Sequence, residues 1–326
     1  MTSVWPPHNV VGETTGLERG TAPVADWAVA PERSNRATLR LMAWIAVHLG
    51  RRVARLVLHP ITLYFLCFAP TARRHSGRYL QRVFGRPPRL AERYRHFHAF
   101  AATVLDRIYF VRGAMHEFEF AIQGEALIDA SLAEGQGAFL LGAHIGSFEA
   151  LHAVGTSRPG MRVAMVMYPD NARLIQGVLQ SVAPDLELGI ITIGRAGSTL
   201  AIRDWLDGGG LAGLLGDRFL PAGPHHRSGS VALPFLGRVT HFADGPLRLA
   251  QLLRRRVIFM VGLYHGGRRY EVRFLPLADF RQREDDADAR ERQVQQALGR
   301  YVALLESLVR ERPFNWFNFH DFWKED

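Results

Sequence analysis

The chain has 326 residues, 48% hydrophobic and 22% charged, which is typical of a globular protein with a substantial core. Its 40 Lys and Arg against 31 Asp and Glu give a net charge of +9. That charge favours an anionic partner such as nucleic acid, a membrane or an anionic substrate, without separating them. A single cysteine, Cys67, excludes an internal disulfide framework. No charged segment with an apolar core follows Met1, so a secretory signal is not expected.

The first 90 residues divide into two regions. Residues 1–38 hold several Pro and Gly residues without hydrophobic periodicity, which predicts a mobile arm. Residues 39–90 begin with two apolar segments joined near Gly50, and the second contains Pro60. Neither segment reaches the roughly 20 apolar residues that a membrane span needs. They are therefore either a pair of core helices or an interfacial hairpin with apolar faces in a membrane surface and arginines on lipid phosphates.

A dense basic stretch follows these apolar segments. Residues 71–100 interleave arginines with aromatic residues, a pattern that also occurs in nucleic-acid-binding proteins. No helix-turn-helix, zinc-finger or RNA-module signature accompanies it, so nucleic acid is not expected as a partner. A basic stretch beside an apolar one favours an anionic membrane surface. Four arginines are expected to support that contact: Arg51, Arg52, Arg73 and Arg74.

Residues 91–326 predict an α/β domain. The spacing of apolar residues indicates a helix over 92–116, and a second helix is expected at 124–134. Short apolar strands then alternate with helical segments, which is typical of a mainly parallel central sheet flanked by helices. The expected strands are 138–143, 162–168, 188–193 and 211–216, and the expected helices are 147–156, 170–183 and 197–207.

The C-terminal third continues this domain after a loop at 221–230. Gly266 and Gly267 separate two apolar stretches and predict a hairpin, so this edge of the sheet is expected to be antiparallel. The expected elements are a helix near 242–254, strands at 257–264 and 269–275, and a charged helix at 284–312.

His144 and Glu149 follow the first predicted strand, in the sequence GAHIGSFEALH. A strand that turns into a helix near Ser147 directs side chains out of the carboxyl end of a sheet, where open α/β folds bind ligands. An imidazole and a carboxylate at such a corner can act as a general base and the group that orients it. Acidic residues are common, so the spacing alone is weak support for a site.

Polar side chains follow each of the four predicted parallel strands. These positions lie along one edge of the sheet, and their residue types suit proton transfer near an anionic substrate. Strand ends are also often polar without any function. The residues are His144, Tyr168, Asp170, Arg195, Asp217 and Arg218.

Three segments carry a family resemblance. The sequence GAHIGSFEALHA resembles the His-x4-Asp/Glu motif of glycerolipid and lipid A acyltransferases. The stretch LAGLLGDRFLPAGPHHRSGSVALPFLGRVTHFADGPLRLA is similar to the second conserved region of the bacterial late lipid A acyltransferases. The ending RPFNWFNFHDFW, which contains Trp316, looks like that family's closing aromatic segment. The segments occur in the family's order over roughly residues 40–323.

The resemblance implies transfer of a fatty acyl group from a thioester, either of acyl-carrier protein or of coenzyme A, to a hydroxyl or amine of a lipid or glycolipid. His144 would deprotonate the acceptor, Glu149 would hold its other ring nitrogen, and backbone amides near Gly146 or an arginine would stabilise the oxyanion. The thioester is a co-substrate, and no cofactor is implied. The expected location is the cytoplasmic face of the bacterial inner membrane, peripheral or monotopic. The residues assigned to substrate binding are Ser147, Arg195, Asp217 and Arg218, with an ion pair to Asp217 as the alternative role of Arg218.

The chain departs from the family in two places. Many relatives begin with a clear membrane-spanning helix, whereas here the apolar segment is short and interrupted by Pro60 and arginines. The second region reads GDRFLP rather than the Pro-Asp-Gln-Asp type of lipid A enzymes, so the acceptor need not be lipid A. This form fits the branch found with polyene-type or other specialised lipids. The alternative function is a catalytically inactive, peripheral membrane lipid-binding or assembly protein with the same fold.

Other chemistries lack their motifs in this sequence. Without Gly-x-Ser-x-Gly, a serine-hydrolase role for Ser147 is not supported. Without His-Glu-x-x-His or paired cysteines, no catalytic metal is expected. Neither a Walker A motif nor a dinucleotide fingerprint follows a strand, so nucleotide binding is not indicated.

Overall fold

The computed structural model describes residues 44–150, 161–169, 189–194, 196–218 and 229–323. The predicted arm at 1–38 and the predicted helix at 170–183 lie outside these ranges. Most of the predicted helix at 147–156 does so as well, and so do Asp170 and Arg195.

The helices follow the apolar periodicity of the sequence closely. A short helical segment at 44–48 precedes the first long helix. In chain order the helices are α1 (Gly50–Phe68), α2 (Pro70–Phe84), α3 (Leu90–Val111), α4 (Glu125–Ala133), α5 (Ser198–Asp207), α6 (Gly245–Leu252) and α7 (Ala287–Glu311).

A seven-stranded sheet forms the centre of the described fold. Its strands are β1 (Glu119–Gln123), β2 (Phe139–Gly142), β3 (Val163–Met167), β4 (Gly189–Thr192), β5 (Leu211–Leu215), β8 (Arg256–Tyr264) and β9 (Arg269–Asp279), with a separate antiparallel hairpin of β6 (Ser230–Phe235) and β7 (Arg238–Ala243). The strand order of the sheet is β1-β9-β8-β2-β5-β3-β4, and all neighbouring pairs are parallel except β8 with β9. This confirms the predicted α/β class with a mainly parallel sheet.

The predicted antiparallel hairpin is confirmed, but it does not form the edge of the sheet as expected, because β1 pairs in parallel with β9 and lies outside it. Strands β8 and β9 pair over their whole length, and Gly266 and Gly267 both have positive φ angles in the turn between them. The sequence did not predict β1 or the β6–β7 hairpin. The turn of that hairpin is Leu236-Gly237, in the sequence Pro-Phe-Leu-Gly of residues 234–237.

Helix α7 closes one face of the sheet with an apolar stripe. Its buried residues include Leu298, Val302 and Leu305, in the same core cluster as Phe139 and Leu141 of the central strand β2. Such a face is typical of an amphipathic helix on a buried parallel sheet. A hydrogen bond from the Tyr301 hydroxyl to the carbonyl oxygen of Gly142, 2.9 Å long, fixes α7 at the end of β2.

The N-terminal helices are attached to the domain by a buried ion pair. Arg51, in the first turn of α1, donates two hydrogen bonds of 2.8 and 2.9 Å to the carboxylate of Asp106 on α3. Tyr270 of β9 donates a third to the same carboxylate, at 2.8 Å. Arg51 is therefore not available to a lipid phosphate, contrary to the expectation from sequence. Arg73 donates to the carbonyl oxygens of Leu66 and Cys67 at the end of α1, so its guanidinium also has an intramolecular role.

The first helix exposes a long apolar stripe. Pro60 lies inside α1 without ending it. Within the described ranges no single helix has the length and apolar character of a membrane span. Helices α1 and α2, bent by 93° at their break, meet that length and composition test only as a pair. The exposed apolar side chains of α1 are Val53, Leu56, Leu63, Tyr64 and Phe68.

Candidate functional site

The candidate site lies where the two central strands β2 and β5 end. These strands are adjacent and parallel, with Gly142 paired to Leu215. His144 and Asp217 each come two residues after their strand, so the sheet brings the two side chains to the same edge. The fold therefore joins residues that are 73 positions apart in the chain.

The chain turns beside His144 where the backbone of Gly146 packs directly against that of Gly262. Gly146 has a φ of +61°, and a Cβ atom at this position would overlap the carbonyl oxygen of Gly262 on β8. The Gly146 amide donates to the carbonyl oxygen of Asn315, and the Ser147 amide donates to that of Gly262, both at 2.8 Å. These two backbone donors are thus engaged in the fold, so the amide of Gly146 is not the oxyanion donor expected from sequence.

The carboxylate of Asp217 holds the His144 imidazole. Nδ1 of His144 lies 2.8 Å from Oδ1 of Asp217, and the His144 backbone amide donates to Oδ2 at 3.0 Å. The indole N–H of Trp316 donates to the same Oδ2 at 3.0 Å. Asp217 is only 3% exposed, so three donors surround a carboxylate that is nearly removed from solvent.

The protonation state of this pair follows from its surroundings. Burial opposes the ionisation of Asp217, but the charge and hydrogen bond of His144, with the charge of Arg218, hold the pKa of this carboxyl well below its usual range. An ionised carboxylate only accepts hydrogen bonds, so Nδ1 of His144 carries the proton and Nε2 has the free lone pair. Burial lowers the pKa of His144; Asp217 opposes this shift, and the charges of Arg218 and Arg107 add to it.

Glu149 has a different role from the one expected from sequence. Its carboxylate pairs with Arg107 of α3, with Oε1 2.7 Å from Nε, and accepts a hydrogen bond from the Ser147 hydroxyl at 3.2 Å. The ring nitrogen assigned to Glu149 is held by Asp217 instead. The reason is the orientation of the two side chains. Glu149 lies in the helix after the corner and points toward Arg107 of α3, while Asp217 follows the neighbouring strand β5 and points toward His144.

Ser147 also has a local structural role. Its hydroxyl accepts from the Ala150 amide at 3.3 Å and thereby caps the helix whose start the sequence predicted near this residue. The side chain is buried, and its assignment to substrate binding stays a prediction. Asp217, likewise assigned to substrate binding, is turned toward His144 and Trp316.

A second basic group and a second imidazole lie near the His144–Asp217 pair. Arg218 follows directly in the chain, and burial lowers its pKa while the charge of Asp217 acts in the opposite direction. Burial lowers the pKa of His320 to about 3, and the charge of Arg218 contributes to that shift. Tyr168, the polar residue that follows β3, has its pKa raised by burial. Arg195 and Asp170 lie outside the described residues.

Sequence reasoning missed two contacts of the site. Trp316 was noted only as part of an aromatic ending, yet it is the second side chain that donates to Asp217. Arg107 lies in a helix whose apolar face was predicted, but its ion pair with Glu149 requires the packing of α3 on the corner. In the described part of the chain, no cluster of three His, Cys, Asp or Glu side chains could hold a metal ion.

The comparisons with known proteins give one family match. A family model described as "Bacterial lipid A biosynthesis acyltransferase" matches residues 36–325, which is most of the chain. Among curated proteins, none matches the chain.

Proposed function

The chain belongs to the bacterial lipid A biosynthesis acyltransferase family, and on this premise we propose that His144 is the general base of an acyl transfer. The family supports an acyltransferase that acts on a lipid, with an acyl thioester as donor in general. The finer proposal is transfer from acyl-carrier protein or coenzyme A to a hydroxyl or amine of a lipid or glycolipid. No cofactor takes part, because the thioester already supplies the activated acyl group.

One observation carries this proposal: Asp217, not Glu149, accepts from Nδ1 of His144, at 2.8 Å. This bond fixes the tautomer whose Nε2 accepts a proton, which is the state that a general base requires. The His144 side chain is 32% exposed while that of Asp217 is 2% exposed. The base can therefore be reached from outside while the group that orients it is enclosed.

The proposed reaction balances with these two residues. The acceptor oxygen or nitrogen attacks the thioester carbonyl carbon as its proton passes to Nε2 of His144. The C–S bond then breaks as the tetrahedral intermediate collapses, and the thiolate takes the proton back from the imidazolium. Asp217 stabilises the imidazolium without being acylated or protonated.

Arg218 is the proposed electrostatic partner of the oxyanion. The support is that burial lowers the pKa of Arg218 while the charge of Asp217 opposes this shift, and that the charge of Arg218 in turn lowers the pKa of His144. A positive charge in a poorly solvated site stabilises a developing oxyanion more strongly than it would in water. Because the amides of Gly146 and Ser147 are engaged in the fold, this arginine is favoured over them for the role.

The proposed location is the surface of an anionic membrane, at the cytoplasmic face of the bacterial inner membrane, with peripheral or monotopic attachment. The support is the apolar stripe of α1, where Leu56 is 68% and Phe68 is 67% exposed, beside the exposed Arg52 and Arg74. Apolar side chains flanked by arginines suit the boundary between lipid headgroups and acyl chains.

The test compares the lipids of cells that express the wild-type chain, His144→Ala or His241→Ala. His241 is an exposed histidine on β7, so its replacement is a matched control. We expect a lipid heavier by one acyl group with the wild type and the control, and its loss with His144→Ala at equal protein level. If His144→Ala produces this lipid as well as the wild type, the base assignment is wrong. If no variant changes the lipids, the inactive lipid-binding alternative is favoured.

A further inference from the structure

A half-open cavity of about 440 Å³, with a mixed polar and apolar lining, contains neither His144 nor Asp217 in its lining. Four parts of the chain line it: α1, α3, the β8–β9 turn and the segment that follows α7. Three arginines reach it from separate elements, Arg55 from α1, Arg95 from α3 and Arg312 from the end of α7. Tyr94 and Phe314 add aromatic walls.

The lining of this cavity has an excess of positive charge. Its one carboxylate is that of Glu311, among the described residues. Both oxygens of Glu311 accept from Arg273, at 2.7 and 2.8 Å, so its charge is balanced by a residue outside the lining. The nearby carboxylate of Asp106 is held by Arg51 and lies 3.8 Å from Arg55. Arg312 also lies 3.6 Å from Glu311, but each of these two carboxylates is hydrogen-bonded to another arginine, so three guanidinium groups share two carboxylates that are already engaged.

Some of these guanidinium nitrogens are buried without an acceptor. Nη1 of Arg55 and Nε of Arg312 are removed from solvent, and neither has a hydrogen-bond partner among the described residues. Nη2 of Arg55 is fixed by the hydroxyl of Tyr264 at 2.7 Å. A buried donor without an acceptor is unfavourable, so such groups call for a ligand or ion. The guanidinium carbon of Arg95 lies 4.5 Å from the ring centre of Phe314, which orients this side chain by stacking.

Two stacked histidines lie at the edge of the cavity, close to these arginines. His98 lines it and stacks on His59, with ring centres 4.8 Å apart. Burial lowers the pKa of His98 to about 4, and the charges of His59 and Arg55 act in the same direction. Burial is the largest cause of this shift, and the smaller contribution of Arg55 reflects the positive charge that its guanidinium brings to the cavity.

We propose that this cavity binds the phosphate group of a phosphorylated ligand. Phosphate offers several acceptor oxygens to diverging guanidinium groups, and arginines bind it with paired hydrogen bonds. The source of the phosphate is either a lipid headgroup or a soluble phosphate compound. Arg55 belongs to α1, the helix whose exposed apolar stripe is described above, which relates the cavity to a lipid surface.

The segment that lines the cavity continues along the chain into the His144–Asp217 site. Pro313, Phe314 and Asn315 line it, and the next residue, Trp316, donates its indole N–H to Asp217. The Asn315 carbonyl oxygen accepts from Gly146, in the corner after His144. A bound phosphate would therefore order the segment that holds Asp217. The binding proposal itself does not depend on acyl transfer.

The test measures binding to the purified full chain by calorimetry at constant ionic strength. The probes are inorganic phosphate and dibutyryl phosphatidic acid, a water-soluble phospholipid. Arg95→Gln/Arg312→Gln removes two lining charges, and Arg112→Gln/Arg300→Gln removes two exposed charges elsewhere. We expect at least about tenfold weaker binding for the first double variant and unchanged binding for the second.

The outcomes separate the sources and the competing explanations. Tighter binding of phosphatidic acid than of inorganic phosphate supports a lipid headgroup, and equal affinity supports a soluble phosphate. His144→Ala is expected to bind both probes like the wild type, so a failed acyl-transfer mechanism would leave this result intact. Absence of saturable binding to the wild type, or an equal loss in both double variants, would overturn the proposal.

Discussion

Nδ1 of His144 lies 2.8 Å from Oδ1 of Asp217, and the indole of Trp316 donates to the other oxygen of the same carboxylate at 3.0 Å. Three distant parts of the chain thus determine the orientation of one imidazole. Glu149, which is only five positions from His144, pairs with Arg107 instead. The carboxylate that is nearest in sequence is therefore not the one bonded to Nδ1.

Asp217→Asn is expected to reduce turnover far more than Glu149→Gln. The asparagine amide can donate to Nδ1 and favour the wrong tautomer, which predicts a loss of about 100-fold to 10,000-fold. Loss of the Glu149–Arg107 pair leaves that tautomer unchanged, so we expect a loss within about tenfold. The measurement is formation of the acylated lipid per folded protein. A greater loss with Glu149→Gln than with Asp217→Asn would restore Glu149 as the residue that orients His144.

Trp316→Phe tests a positioning residue. The variant keeps an aromatic ring but removes one donor from Asp217, whose carboxylate then attracts the proton of His144 more strongly. Because the pKa of His144 is lowered in the fold, wild-type activity is expected to persist below pH 6.5 and then fall with acid. In Trp316→Phe we expect that acid limb to move to higher pH.

The matched control for this variant is Trp323→Phe. Trp323 belongs to the same aromatic cluster, but its indole donates to the carbonyl oxygen of Phe235 at 3.4 Å. A purely structural effect of losing an indole would reduce activity in both variants without moving the pH profile. An unchanged acid limb in Trp316→Phe would show that its bond to Asp217 has no influence on the base.

The corner residues could be predicted from sequence because their requirements are local. An apolar run followed by glycine and polar residues predicts a buried strand with His144 after its end, and β2 confirms this strand. Asp217 was also placed correctly at the end of a strand. Its partner could not be predicted, because the contact depends on β5 lying next to β2, whereas β3 is the strand next after β2 in the described chain.

The missed strands have equally specific reasons. Strand β1 is only partly buried, because exposed and half-buried residues alternate along it. Its sequence therefore lacks the continuous apolar run that predicts a central strand. Strand β6 contains Pro234, a residue that argues against a strand except at an edge. The prediction that Arg51 contacts lipid was wrong because its partner, Asp106, lies 55 positions away on another helix. Without that partner, the sequence does not distinguish a buried arginine from one on the surface.

Stability is expected to fall in acid because of His96. It lies in α3, fully buried, and its Nε2–H donates to the Trp316 carbonyl oxygen at 2.9 Å, so Nδ1 accepts from the Ser76 hydroxyl. Burial lowers its pKa to about 4. The unfolded chain, with an ordinary pKa of about 6.5, binds the proton first, so stability present above pH 6.5 is lost as the pH falls to about 4.

The expected loss is at most about 3 kcal/mol for this one group. Urea unfolding at pH 7 and pH 4.5 measures it. His96→Gln should reduce the difference between the two pH values, whereas His116→Gln should not, since the His116 side chain is 81% exposed. Equal pH dependence in the wild type and His96→Gln would exclude His96 as the cause.

Asp106→Asn is expected to destabilise the attachment of α1. The carboxylate receives two bonds from Arg51 and one from Tyr270, and removing one partner of a buried ion pair costs about 3–5 kcal/mol. Asp204→Asn, in an exposed pair with Arg203, should cost less than about 1 kcal/mol. Chemical denaturation gives both free energies of unfolding, and similar values for the two variants would contradict a structural role for the buried pair.

Leu56→Ser/Leu63→Ser is expected to weaken membrane binding through loss of the apolar stripe of α1. The two leucines are 68% and 55% exposed, so the change removes accessible apolar area without opening a core cavity.

The control is Leu200→Ser/Leu252→Ser, two leucines that are 54% and 70% exposed on α5 and α6. Sedimentation with vesicles that contain phosphatidylglycerol should show at least about tenfold weaker partitioning for the α1 variant alone. Arg52→Gln/Arg74→Gln should reduce binding mainly at low salt, because exposed charges are screened as ionic strength rises. If both leucine variants lose binding equally, the attachment is nonspecific and α1 is not the membrane-facing helix.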